Sequence, residues 1–222
     1  MSSIFMNSDE KNAWADFFEF VATLYLNEPD EERIAGCKEV GHKFKKIFPG
    51  ELFAKMLTLV ERDSSEDITQ EFYDLFFVPI SGKYLPPFEL AQRQIPMRTD
   101  LCASVKNFYI SAGFNPELLD IPSYIKMINR PDYIGFEMAF LGLILRSSAE
   151  LDLNGDEEQA SALLQTACSF YSQHLGMWVS NFGKQLTERA ECYMYKALGH
   201  LTIYVGHSMS EILSKDSVKS IC

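Results

Sequence analysis

Asp132 and Glu137 are the two acids of this chain whose surroundings invite chemistry. Glu137 lies inside the most apolar stretch, "YIGFEMAFLGLIL" at 133–145. A carboxyl withdrawn from water holds its proton more tightly, and such a group can serve as a general acid. Asp132 opens the same helical pattern, where the positive end of the helix dipole favours a carboxylate. The two are poorly disposed as an acid–base pair. Five residues turn a helix by about 500°, so the side chains point about 140° apart. Each also has a structural reading: a helix cap for Asp132, and for Glu137 an acid bonded to a neighbouring helix or loop.

The remaining candidates are sparser. The histidines are His42, His174, His200 and His207. His200 and His207 share a helix face but stand two turns apart, roughly 10 Å, too far for one metal ion. His174 falls at a junction between helical patterns and suits capping or packing. No G-x-x-x-x-G-K-S/T, G-x-G-x-x-G or G-x-S-x-G occurs, so a phosphate-cradling loop and a nucleophile elbow are both absent. The five cysteines are odd in number and scattered, without a C-x-x-C, which fits reduced thiols rather than disulfides or zinc. We expect no catalytic residue, no metal and no cofactor. The net charge of −11 repels phosphate backbones, so no nucleic-acid partner is expected, and it favours cationic ligands and peptides.

The elements that must position these residues are helices. Hydrophobic residues make up 47% of the chain and charged residues 23%, an ordinary globular balance. Apolar stripes of helical period predict helices over about 9–26, 30–47, 51–62 and 65–77. Others follow Pro96 to near Gly113, then over 131–151, 156–173, 174–186 and 188–213. Ser64 with Asp67 reads as a cap, Gly113 as a helix-ending glycine, and Pro131 as a first-turn proline. No alternating run or Asn-Gly hairpin marks a strand. The expected fold is all-α: a compact single-domain bundle of about nine to ten helices over 1–222, with no significant sheet. Its irregular connections are 78–90 and 114–131, the latter a candidate hinge. Phe76, Leu101, Val105, Phe140, Leu141 and Trp178 are expected in the core. No apolar run approaches the ~20 residues that span a bilayer, and residues 1–18 lack the pattern of a secretory leader.

Three groups of residues stand out along this frame. Tyr73-Asp74-Leu75-Phe76 closes a helix, Val78-Pro79 follows, and then Pro86-Pro87-Phe88-Glu89. Asp132-Tyr133-Ile134-Gly135-Phe136-Glu137-Met138-Ala139-Phe140-Leu141 opens the sixth helix. Phe170, His174, Leu175, Trp178 and Phe182 form a third, looser pattern. In order and spacing these resemble the TorD/DmsD/NarJ family, cytoplasmic maturation chaperones of molybdenum-containing respiratory enzymes. Three positions depart from the family pattern: Val78 stands for a glycine, Phe88 for Tyr or Trp, and Tyr133 for a histidine.

The resemblance implies a chaperone that binds the twin-arginine signal peptide, or another part, of a molybdoenzyme catalytic subunit. It implies retention of that subunit in the cytoplasm until cofactor insertion and assembly, in the service of anaerobic respiration. It also implies a monomer or a helix-swapped homodimer, without stable membrane insertion. The peptide-binding residues would be Tyr73, Phe76, Pro86, Pro87, Phe88, Glu89, Pro131, Asp132, Tyr133 and Glu137. Asp132 would pair with an arginine of the leader, while Phe88 and Tyr133 would cover its apolar part. The prolines of 78–90 would hold the loop in shape, or merely end a helix and join two halves of the bundle. The alternatives are a nucleotide-binding or hydrolysing enzyme and a structural assembly subunit of a reductase complex.

Overall fold

Asn7 starts the first helix with a reciprocal cap. Its side chain accepts the Glu10 N–H at 2.9 Å, and the Glu10 carboxylate accepts the Asn7 N–H at 3.0 Å. The computed structural model describes residues 6–47, 52–94 and 100–219. Over these the chain forms α1 (Ser8–Leu26), α2 (Glu31–Ile47), α3 (Leu52–Leu57), α4 (Ser65–Phe76), α5 (Glu89–Gln92) and α6 (Leu101–Ser111). It continues through α7 (Ser123–Lys126), α8 (Ile134–Leu153), α9 (Glu157–Gln173), α10 (Val179–Arg189) and α11 (Tyr193–Lys219). Single 3-10 turns occupy Val60–Arg62, Pro116–Leu118 and Leu175–Met177. The all-α class holds: the described residues contain no strand, only an isolated antiparallel bridge between Phe88 and Tyr133. No helix among them is long and apolar enough to cross a membrane.

The helices group into two compact units that alternate along the chain. The first takes the chain up to Asn27, then Phe88–Trp178, then the residues from His207 onward; the second takes Glu28–Pro87 and Val179–Gly206. The 114–131 segment lies within the first unit, and the chain passes between units at 27–28, 87–88, 178–179 and 206–207.

In the first unit, α8 is the central element, packed against α1 and α9. Its apolar residues run round the whole helix rather than along one stripe, as a buried helix requires. Gly135 permits close approach of α1, because a Cβ there would stand 2.7 Å from Leu26 Cγ. Tyr109, Phe140 and Phe170 stack with centroids 4.7–6.0 Å apart and carry the core toward α6. Gly113 ends α6 with φ +70°, in the left-handed region that glycine enters freely. In the second unit, Phe72, Leu75 and Phe76 of α4 are buried, as are Phe182 and Leu186 of α10 and Tyr195 and Leu198 of α11. All six expected core residues, Phe76, Leu101, Val105, Phe140, Leu141 and Trp178, are at most 8% exposed.

Candidate functional site

Asp132 is the pivot of the first unit's polar interior. It is fully buried, and its carboxylate faces two donors at once. Arg130 donates to it twice, from Nε at 2.8 Å and Nη2 at 2.7 Å, the paired geometry that suits guanidinium and carboxylate. The Leu90 N–H donates to Oδ2 at 3.1 Å, and the Glu89 N–H donates to the Asp132 carbonyl at 2.9 Å. Asp132 therefore caps the N-terminus of α5, a helix 42 residues earlier in the sequence. It does not cap α8, whose N-cap is Tyr133 with no side-chain bond. The reason is local: Phe88, at the N-cap of α5, has no side-chain acceptor to offer. Arg130 also lies over the Phe88 ring, 4.6 Å from its centroid.

Glu89 extends the interior from α5 toward α9. Its buried carboxylate meets His174 Nδ1 at 2.9 Å and forms an ion pair with Arg93. His174 Nε2 meets Ser104 Oγ of α6 at 2.9 Å. His174 is also the C-cap residue of α9, its backbone N–H donating to the Phe170 carbonyl, so the junction assigned to it is real. Glu137, on α8, receives the Trp178 indole N–H at 3.3 Å, and its other oxygen has no hydrogen-bond partner. Burial first, then the carboxylates of Glu89 and Asp132, push the Glu137 carboxyl well above its ordinary range, against the opposing pull of Trp178. Of these acids, Glu137 is the one whose surroundings most favour keeping its proton.

The ten residues expected to contact a peptide are placed as follows. Asp132 is not an open anion awaiting an arginine, because Arg130 of the same chain already occupies it. Tyr133 points inward. It is fully buried, and its hydroxyl donates to the Tyr25 carbonyl at 2.6 Å. Glu89 and Glu137 are likewise inside. Pro131 is held by its carbonyl, which accepts the Tyr109 hydroxyl at 2.9 Å. Phe88 is half-buried. The other four residues belong to the second unit. There Tyr73 donates to Glu28 at 2.8 Å, Phe76 is buried against Phe72 and Tyr195, Pro87 is buried, and Pro86 is half-buried. Members of all three motif groups meet in the first unit, where Glu89, Asp132, Glu137, His174 and Trp178 share the polar interior. Sequence reading passed over Arg130, Arg93 and Ser104. The signal for Arg130 was its place two residues before Asp132.

The open surface lies beside this interior. A cleft of about 760 Å³ is walled by α6, the 113–117 turn and residues 126–131. Tyr109, Phe114, Pro131 and Phe136 supply apolar surface to it, and Arg130 stands at its edge. A second cleft of about 450 Å³ lies between α1, α8 and residues 113–121. Gly113, Phe114 and Asn115 line both. Around them Ile110, Leu118 and Met127 are 66%, 82% and 81% exposed, far more than apolar side chains in a core.

The family model described as "Nitrate reductase delta subunit" matches residues 49–183. That is more than half of the chain, and the chain belongs to this family, one of molybdoenzyme maturation chaperones of the NarJ/TorD type rather than of enzymes. No curated protein matches the chain.

Proposed function

We propose that this protein is a dedicated chaperone that binds the twin-arginine signal peptide, or another segment, of a molybdenum-containing respiratory oxidoreductase subunit. It holds that subunit in the cytoplasm until cofactor insertion and assembly are complete. The observation that carries this reading is the apolar cleft walled by α6 and 126–131, with Ile110, Leu118 and Met127 exposed around it. Apolar side chains left in water on this scale are a binding surface in waiting. The buried interior gives the cleft its shape. Asp132 fixes Arg130, and Tyr109 fixes Pro131, so two wall residues are set before a client arrives. A wall already in place loses less entropy when a peptide docks. The family motifs then act as the frame of the binding surface instead of its contact face.

The test is capture of the client. The tagged protein, purified from anaerobically grown cells, is expected to bring down a molybdoenzyme subunit that still carries its leader. Ile110→Asp and Leu118→Asp replace exposed residues and are expected to leave the melting temperature unchanged. Each removes roughly 1.5–3 kcal/mol of apolar burial in the complex. Capture should therefore fall about tenfold or more for each variant. Undiminished capture by both would remove the cleft from the mechanism.

A further inference from the structure

The two clefts carry opposite charge. The first is lined by Lys106, Lys126 and Arg130, with Glu117 as its acid. Counting Asp132, which Arg130 already pairs, three cations face two carboxylates, an excess of one positive charge. The Lys126 ammonium donates to the Glu117 carbonyl at 3.1 Å, a neutral acceptor that leaves its charge in place. The charged residues lining the second cleft are Glu19 and Asp120. Glu19 shares Arg146 with Asp16, so one cation faces three carboxylates there, an excess of two negative charges. The positive excess of the first cleft runs against the net charge of −11. Between these poles lie the shared Gly113–Asn115 lining and the exposed apolar side chains of Ile110, Leu118 and Leu143.

We propose that the two clefts form one docking track with a fixed electrical polarity. It takes an apolar peptide segment with arginines at one end and an acidic flank at the other. The arginines sit beside Asp120 and Glu19, the apolar stretch crosses the Phe114 lining, and the acidic flank reaches Lys106. This rests on the reading that a client segment occupies the cleft, and adds its direction. Exposed charges contribute little to affinity, but they discriminate strongly between two orientations, because the reversed peptide places like charges together at both ends.

Two synthetic peptides test this: Arg-Arg, then twelve Leu and Ala residues, then Glu-Glu, with a benzophenone photo-crosslinker beside the arginines in one and beside the glutamates in the other. After irradiation with the full chain, the arginine-end probe is expected to label 19–27 and 118–121. The glutamate-end probe is expected to label 102–110. The double variant Asp120→Lys with Lys106→Glu, both exposed positions, removes the positive excess of one cleft and the negative excess of the other, and is expected to erase the difference between the two patterns. Identical labelling by both probes in the wild type, a reversed pattern in the wild type, or an unaltered pattern in the variant overturns the polarity while leaving client binding standing. Absence of saturable binding by either probe overturns both readings.

Discussion

Glu137 is a buried acid beside the carboxylates of Glu89 and Asp132, and the cost of charge repulsion there is avoided while it keeps its proton. Its raised value ties stability to pH with a definite sign. Below the ordinary glutamate range, near pH ~4.3, folded and unfolded chains both hold this proton, and its contribution is complete. Above that range the unfolded chain releases the proton while the folded chain retains it. Stability then falls as pH rises, by about 1.4 kcal/mol per pH unit, until the raised folded value is passed. Glu137→Gln keeps a neutral side chain and abolishes the titration. The variant is expected to gain stability relative to the wild type as pH rises above the ordinary glutamate range, read as a widening difference in melting temperature. Parallel melting curves across that rise would place the proton elsewhere. The sequence marked Glu137 for its apolar neighbours and marked Glu89, Asp132, His174 and Trp178 by motif. It could not show that Arg130 closes Asp132 off, because a carboxylate exposed at a helix start and one buried there have the same local spelling.

At the scale of elements, the N-terminus of α11 shows how a long helix is begun without a cap of its own. Its preceding residues, Ala190-Glu191-Cys192, include no Ser, Thr, Asn or Asp to receive the first N–H groups. Two acids from elsewhere in the second unit do so. Glu71 of α4 accepts the Glu191 and Cys192 N–H groups, each at 2.7 Å, and Asp63 accepts that of Tyr193 at 2.6 Å. Lys83 pairs with Glu71 at 3.3 Å from a partly exposed position. Glu71→Ala strands two N–H groups, each worth about 1–3 kcal/mol, and is expected to destabilise the protein by roughly 2–5 kcal/mol in denaturant titration. Lys83→Met is expected to cost under about 1 kcal/mol, since a pair reaching solvent is screened. Equal losses would mean that the ion pair, not the cap, matters. The long helices were legible because a 3.6-residue stripe is a local signal, and Ser64 and Gly113 do mark their ends as read. Helix α5 was not, because four residues complete barely one turn and its cap comes from Asp132. The expected 51–62 helix stops at Leu57 and resumes as the Val60–Arg62 3-10 turn. The expected 174–186 helix likewise opens as a separate 3-10 turn, Leu175–Met177, before α10.

At the scale of the whole molecule, each unit is assembled from segments far apart in the chain. No stretch of sequence announces this, since it depends on which helix faces meet. A chain ending at Trp178 keeps Glu28–Pro87 but loses Phe182, Leu186, Tyr195, Leu198 and Leu201, all fully buried. At about 1.5–3 kcal/mol for each, the loss is comparable to the roughly 5–15 kcal/mol that holds an ordinary domain folded. The truncated chain is expected to melt without a cooperative transition by circular dichroism. A sharp transition with helicity in proportion to length would show that the chain up to Trp178 folds without the rest of either unit. The same interleaving sets a clock on biosynthesis. The lining of the larger cleft is fully translated at Phe136, but the second unit is not complete until Gly206. At ~5–20 residues per second the ribosome needs roughly 4–14 s to cover that interval. For those seconds the residues of the cleft are already synthesised while the second unit is still incomplete, so the finished fold exists only in chains translated past Gly206.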